Sequence, residues 1–70
     1  MAETLDLRGL LCPLVVVKAR GALATLPACE QLVVLATDRE APIDLAALAV
    51  DAGRSFSVDE RDGVWRCTLG

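Results

Sequence analysis

Leu5-Asp6-Leu7-Arg8-Gly9-Leu10-Leu11-Cys12-Pro13-Leu14 carries the chain from a strand into a helix, and its reading decides the fold. Thr4 to Leu7 is a short strand candidate that ends at Gly9. Pro13 then opens an apolar, alanine-rich run. Proline is favoured at the first helical position, because its missing N–H would be unpaired there and its φ is already helical. The pattern predicts a helix from Pro13 to about Leu26, stopped by Pro27. Val16, Ala19, Leu23 and Leu26 form its apolar stripe, with Lys18 and Thr25 opposite. Cys12 is then expected as the N-cap, where unpaired N–H groups and the positive end of the helix dipole converge. Such surroundings favour thiolate over thiol and bring a cysteine pKa from about 8.5 to roughly 3.5–7.5. Cys12 is the candidate nucleophile.

The remaining elements follow by the same reasoning. Gln31 to Thr37 is apolar and β-branched, which suits a central strand. A second helix is expected from Pro42, with Asp44 in its first turn and Gly53 as its stop. Asp44 and Asp51, seven apart, share its wet face. Ser55 to Glu60 and Val64 to Leu69 alternate, and Asp62-Gly63 between them signals a hairpin. Trp65, Cys67 and Leu69 share one strand face, which places Trp65 in the core, with Phe56 and Val58 on one face of the partner strand. The order is β-α-β-α-β-β. The expected fold class is α+β, a two-layer α/β sandwich with two helices on one face of a four-stranded mixed sheet.

Composition narrows the chemistry. Seventy residues allow one domain, spanning 1–70. The chain is 54% hydrophobic, yet Lys18 and Arg20 interrupt its longest apolar stretch. No run approaches the roughly 20 residues needed to span a bilayer. Met1-Ala2-Glu3-Thr4 lacks a signal peptide's basic start, so a cytoplasmic location and no membrane association are expected. A net charge of −3 with only Phe56 and Trp65 as aromatics argues against direct nucleic-acid binding. Without histidine there is neither a Cys-His dyad nor a Ser-His-Asp triad. No C-x-x-C spacing suggests zinc, and three cysteines cannot form a full disulfide framework. No metal and no cofactor are expected. What is left is thiol chemistry.

The run Asp6-Leu7-Arg8-Gly9-Leu10-Leu11-Cys12-Pro13 resembles the TusA/SirA-like sulfur carrier family. Lys18, Arg20, Ala22 and Leu23 fit its pattern, as do Ala36-Thr37-Asp38, Ala41-Pro42 with Asp44, and the hairpin at Asp62-Gly63. The resemblance covers essentially the whole chain. It implies that Cys12 carries sulfane sulfur as a persulfide, with Arg8, Gly9 and Pro13 belonging to the motif around it. It also implies a sulfur-donor protein (a cysteine desulfurase or rhodanese-like protein) and a sulfur-acceptor protein as partners. Routes served by such carriers include tRNA thiolation, molybdenum-cofactor pathways and sulfur oxidation. The family motif is usually Cys-Pro-x-Pro, and here Val15 replaces the second proline. With Pro13 at the first helical position, Val15 is the third, and its N–H is expected to point at the cap.

Each candidate has an ordinary alternative. Cys12 could be a small buried residue before a helix, although its place between a glycine loop and Pro13 favours exposure. Cys29 reads as an incidental turn residue and Cys67 as core. Arg8 either steers an anionic persulfide or an acidic partner, or is a solvated loop arginine. Asp38 reads as a turn residue that satisfies backbone donors. Leu14 and Val17 fall away from the apolar stripe near the thiol end and, with Lys18, are candidate partner-binding residues. The leading expectation is a sulfur carrier, a sulfurtransferase component rather than a stand-alone enzyme. The alternatives are a non-catalytic binding or regulatory module on the same fold, and a thiol redox sensor.

Overall fold

The computed structural model describes residues 2–11 and 13–70. The elements run β1 (Ala2–Asp6), α1 (Leu14–Thr25), β2 (Gln31–Ala36), α2 (Ala41–Asp51), β3 (Phe56–Arg61) and β4 (Val64–Leu69). They form a four-stranded mixed sheet in the order β1-β2-β4-β3. β1 pairs parallel with β2, and β4 runs antiparallel to both β2 and β3. Both helices pack on one face, giving the expected two-layer α+β architecture. No helix among the described residues is long and apolar enough to cross a membrane.

β2 holds the centre because it can bury both its faces. Leu32, Val34 and Ala36 point to the helices and are wholly buried. Val33 points the other way, yet is only 5% exposed, flanked in register by Thr4 and Thr68 on the neighbouring strands. Leu69 and Cys67 from β4, Leu45 from α2 and Val15 from α1 complete the fully buried centre. Among the described residues no polar or charged side chain is buried.

α1 departs from expectation in phase. Its buried residues are Val15, Ala19 and Leu23, at strict i+4 spacing, with Ala22 and Leu26 partly buried beside them. Val16, expected on the core stripe, is half-buried and sits in the groove toward α2. In the apolar run Leu14-Val15-Val16-Val17 the pattern cannot choose which valine faces inward; packing on the sheet does.

α2 ends on a left-handed glycine as expected. Gly53 has φ 70°, which an L side chain adopts only at a cost. The Gly53 N–H donates to the Val50 carbonyl at 3.1 Å and the Arg54 N–H to that of Ala49 at 2.8 Å, the reciprocal pair of a Schellman motif. The Arg54 side chain then reaches back across the layer. Its guanidinium donates to the carbonyls of Glu30 (2.6 Å), Leu26 and Pro27 (3.2 Å each), bracing the turn between α1 and β2.

The β3–β4 hairpin closes on Asp62 (φ 54°) and Gly63 (φ 79°), the positive-φ pair a two-residue turn requires. Trp65 corrects a second expectation. It is half-buried against the core rather than inside it, because it sits next to the hairpin tip, paired with Ala36 and the exposed Glu60. Val58 on the same side is 45% exposed. Trp65→Ala therefore removes less packing than a core truncation would.

Candidate functional site

The site is assembled at the carboxyl ends of the parallel strands β1 and β2, where their two connections to helices lie side by side. The Leu7 N–H donates to the Leu35 carbonyl at 2.8 Å, carrying the ladder one residue past β1. The chain then turns over Leu7–Leu10, closed by the Leu10 N–H to the Leu7 carbonyl at 3.2 Å, with Gly9 at φ 86°. A side chain at Gly9 would meet no neighbour, so it is this φ that calls for glycine there. The Gly9 N–H donates to Thr37 Oγ1 at 2.9 Å, tying the β1–α1 loop to the β2–α2 loop. The Leu14 N–H closes a further turn onto the Leu11 carbonyl at 2.8 Å.

Cys12, the expected nucleophile, lies outside the described residues. Its neighbours revise where the helix begins. α1 starts at Leu14, and the N-cap residue is Pro13, whose carbonyl accepts the Val17 N–H at 3.0 Å. Pro13 has φ −94° and ψ 5°, outside the helical well, so it is not the first helical residue. The expected N-cap role for Cys12 thus shifts to Pro13, which offers no side-chain cap. Val15 becomes the second helical residue rather than the third, and its side chain is fully buried. The position where the family motif carries its second proline serves packing here.

Arg8 is engaged by its own strand. Its Nε donates to Asp6 Oδ1 at 2.8 Å and its Nη2 to Asp6 Oδ2 at 2.7 Å, a bidentate pair, with the Arg8 backbone N–H adding 3.2 Å to Oδ1. These bonds hold the Asp6 carboxyl down from 3.8 to about 2. A depressed carboxylate pKa stabilises the fold above its unfolded value and loses that contribution as pH falls toward the folded one. The turn-locking pair is therefore intact at neutral pH and weakens between about pH 4 and pH 2. Carboxyl-resolved NMR should show Asp6 titrating near pH 2, and Arg8→Ala should return it toward 4. An Asp6 midpoint already near 4 in the parent would contradict the pairing.

Leu11, Leu14 and Val17 are between 50% and 68% exposed, and Lys18 is exposed beside them. The expected apolar pair is thus on the surface, extended by Leu11. Pro13 also opens a groove of about 300 Å³ between the helices, lined by Val16 and Arg20 of α1 and by Asp44, Leu48 and Asp51 of α2. The sequence reading missed Thr37 and Asp6 as positioning residues. Thr37 could have been found from topology, since a hydroxyl one residue past β2 must face the loop leaving its parallel neighbour.

The other thiols are sorted by burial. Cys67 is fully buried, and desolvation pushes its thiol up to about 11, whereas Cys29 is exposed. Alkylation of the folded protein at pH 7 should therefore reach Cys29 and spare Cys67. Site-resolved iodoacetamide kinetics would show this, and a rapidly labelled Cys67 would contradict its place in the core.

A β-α-β-α-β-β sandwich whose first strand enters its first helix through a Gly-x-x-Cys-Pro loop defines the class of SirA-like two-layer proteins. The chain belongs to the sulfurtransferase TusA family, whose family model matches residues 3–69. It is 43% identical over 65 residues to a protein of Neisseria meningitidis serogroup A named as a candidate sulfur carrier, with 91% of this chain and 88% of that one covered. A Halobacterium salinarum protein named in the same way is 38% identical over 63 residues, covering 90% and 78%. The crystal structure of a SirA-like protein from Desulfitobacterium hafniense superposes with a TM-score of 0.88 at 31% identity, over 99% of this chain and 95% of that one.

Proposed function

We propose that this protein is a sulfur carrier in which Cys12 holds sulfane sulfur as a persulfide between a donor and an acceptor protein. The observation that carries this reading is the family match, which spans the Cys12-Pro13 motif and both loops around it. The Cys12 thiolate attacks the outer sulfur of a donor persulfide. A new S–S bond forms to Cys12, the donor's S–S bond breaks, and the donor leaves as a thiolate while the proton stays on the transferred sulfur. The same exchange with an acceptor thiolate returns Cys12 to its starting state. No net oxidation or reduction occurs, so the cycle calls for no cofactor.

Local architecture supports that role. The tether from Gly9 to Thr37 and the Leu7–Leu10 turn fix the approach to Pro13. Leu11, Leu14, Val17 and Lys18 would then form the surface on which donor and acceptor proteins dock. Arg8 acts by locking the turn through Asp6 rather than by reaching an incoming sulfur. Free thiols at Cys29 and Cys67 suit a reducing, cytoplasmic setting. A redox sensor would need a resolving thiol near Cys12. Cys29 instead follows the C-terminal end of α1, a 12-residue helix about 18 Å long.

Incubation with a cysteine desulfurase and cysteine tests the proposal through the intact mass. The carrier gains one sulfur, about 32 Da, and loses it to a reducing agent, as a persulfide must. No gain from any of several desulfurase and rhodanese-like donors would overturn it in favour of a binding module.

A further inference from the structure

β3 is the sheet edge remote from β1. Its backbone polarity can be read off. The Ser55 carbonyl accepts the Gly70 N–H at 3.0 Å, so Ser55, and by alternation Ser57, Asp59 and Arg61, turn their backbone groups toward β4. Phe56, Val58 and Glu60 turn theirs outward, to the free edge. Their side chains lie on the helix side, opposite Leu69, Cys67 and Trp65. Beside this edge α2 is left uncovered. Asp44, Leu48 and Asp51 line the groove toward α1. Val50 lies about 140° round the helix from the buried Leu45, on its solvent side with Ile43. Val50 is 77% exposed, and on the edge strand itself Val58 is 45% exposed.

We propose that β3 pairs antiparallel with β3 of a second copy, about a two-fold axis through Ser57, joining the two sheets into one. Among registers centred on Ser57, Val58, Asp59 or Glu60, the sequence of the edge favours one. A two-fold axis normal to the sheet pairs residues of the same face. Centring on Asp59 or on Glu60 sets that carboxylate against its own copy, and centring on Val58 sets Phe56 against Glu60. Centring on Ser57 sets Phe56 against Val58 twice and Ser55 against Asp59, with no like charges opposed. Phe56 and Val58 are outward-facing residues, so each such pair exchanges both its backbone hydrogen bonds. The edge is complementary to itself, and the β1 side of each copy stays open.

Cross-linking tests register and occupant together, in a background with Cys12 and Cys29 replaced by serine. The central Ser57 pair is of the non-hydrogen-bonded type, with Cα atoms about 4.5 Å apart. That lies within the roughly 4.4–6.8 Å a disulfide spans. Ser57→Cys should oxidise to a covalent dimer. Asp59→Cys, offset from its copy by roughly 13 Å, should remain monomeric. Without cross-links, the sedimenting mass should rise from 7.4 kDa toward twice that value between micromolar and millimolar protein. Val58→Lys, at an exposed site, should hold it at the monomer. A monomer at every concentration, or Asp59→Cys cross-linking as fast as Ser57→Cys, overturns the proposal.

Discussion

Cys12→Ser is expected to take up no sulfur from a desulfurase while melting at the parent's temperature. A serine hydroxyl does not ionise near neutral pH and cannot form the S–S bond that holds a persulfide. The loss should be complete, because neither remaining thiol can stand in. Cys67 is shut inside the sheet–helix layer with its thiol pushed up to about 11, so roughly one in ten thousand is ionised at pH 7. Cys29 is accessible but lies in the turn that Arg54 braces, beyond the far end of α1. Cys29→Ser should accordingly load as well as the parent. Sulfur uptake by intact mass, with thermal melting as the control for folding, separates these outcomes. Loading in Cys12→Ser at more than a trace would contradict the assignment.

Leu45→Ala is expected to produce the largest loss of stability among the single changes considered. Leu45 is fully buried on the inner face of α2, within the cluster formed by Leu32, Val34 and Leu69. Truncating a leucine in such a position costs about 2–5 kcal/mol, part lost transfer energy and part the cavity left behind. At about 0.05–0.15 kcal/mol per residue, a 70-residue fold has roughly 4–10 kcal/mol in total. The melting temperature should fall by roughly 8–40 °C, given about 4–8 °C per kcal/mol for chains of this size. Ile43→Ala, two residues away but on the exposed side of the same helix, should stay within about 0.5 kcal/mol of the parent. Differential scanning calorimetry of the two variants checks both. Equal melting temperatures would mean that α2 does not pack through Leu45.

Much of the fold was legible because its punctuation is chemical. Asp62-Gly63 and Gly53 are among the few positions where the backbone takes positive φ, and each marks a turn that the flanking strand or helix pattern already implied. Pro42 and Asp44 marked the first turn of α2, which begins one residue earlier than expected, at Ala41. The phase of α1 was not legible, since three consecutive valines offer the same apolarity to every direction and only the sheet selects Val15. The half-exposure of Trp65 was also hidden. Alternation reports which face a residue occupies, not how far the helices extend over it. The site divided along the same line. Cys12, Pro13, Leu14 and Val17 were singled out by local sequence. Thr37 and the Asp6–Arg8 pair emerged only when the parallel pairing of β1 with β2 and the turn at Gly9 were in place.

Peptide-level mass spectrometry of the desulfurase-loaded protein tests the central claim most directly. After alkylation and proteolysis, the added sulfur should appear on the fragment containing Cys12-Pro13, with the Cys29 and Cys67 fragments unmodified. Sulfur recovered on the Cys29 fragment, with Cys12 still a free thiol, would contradict the account.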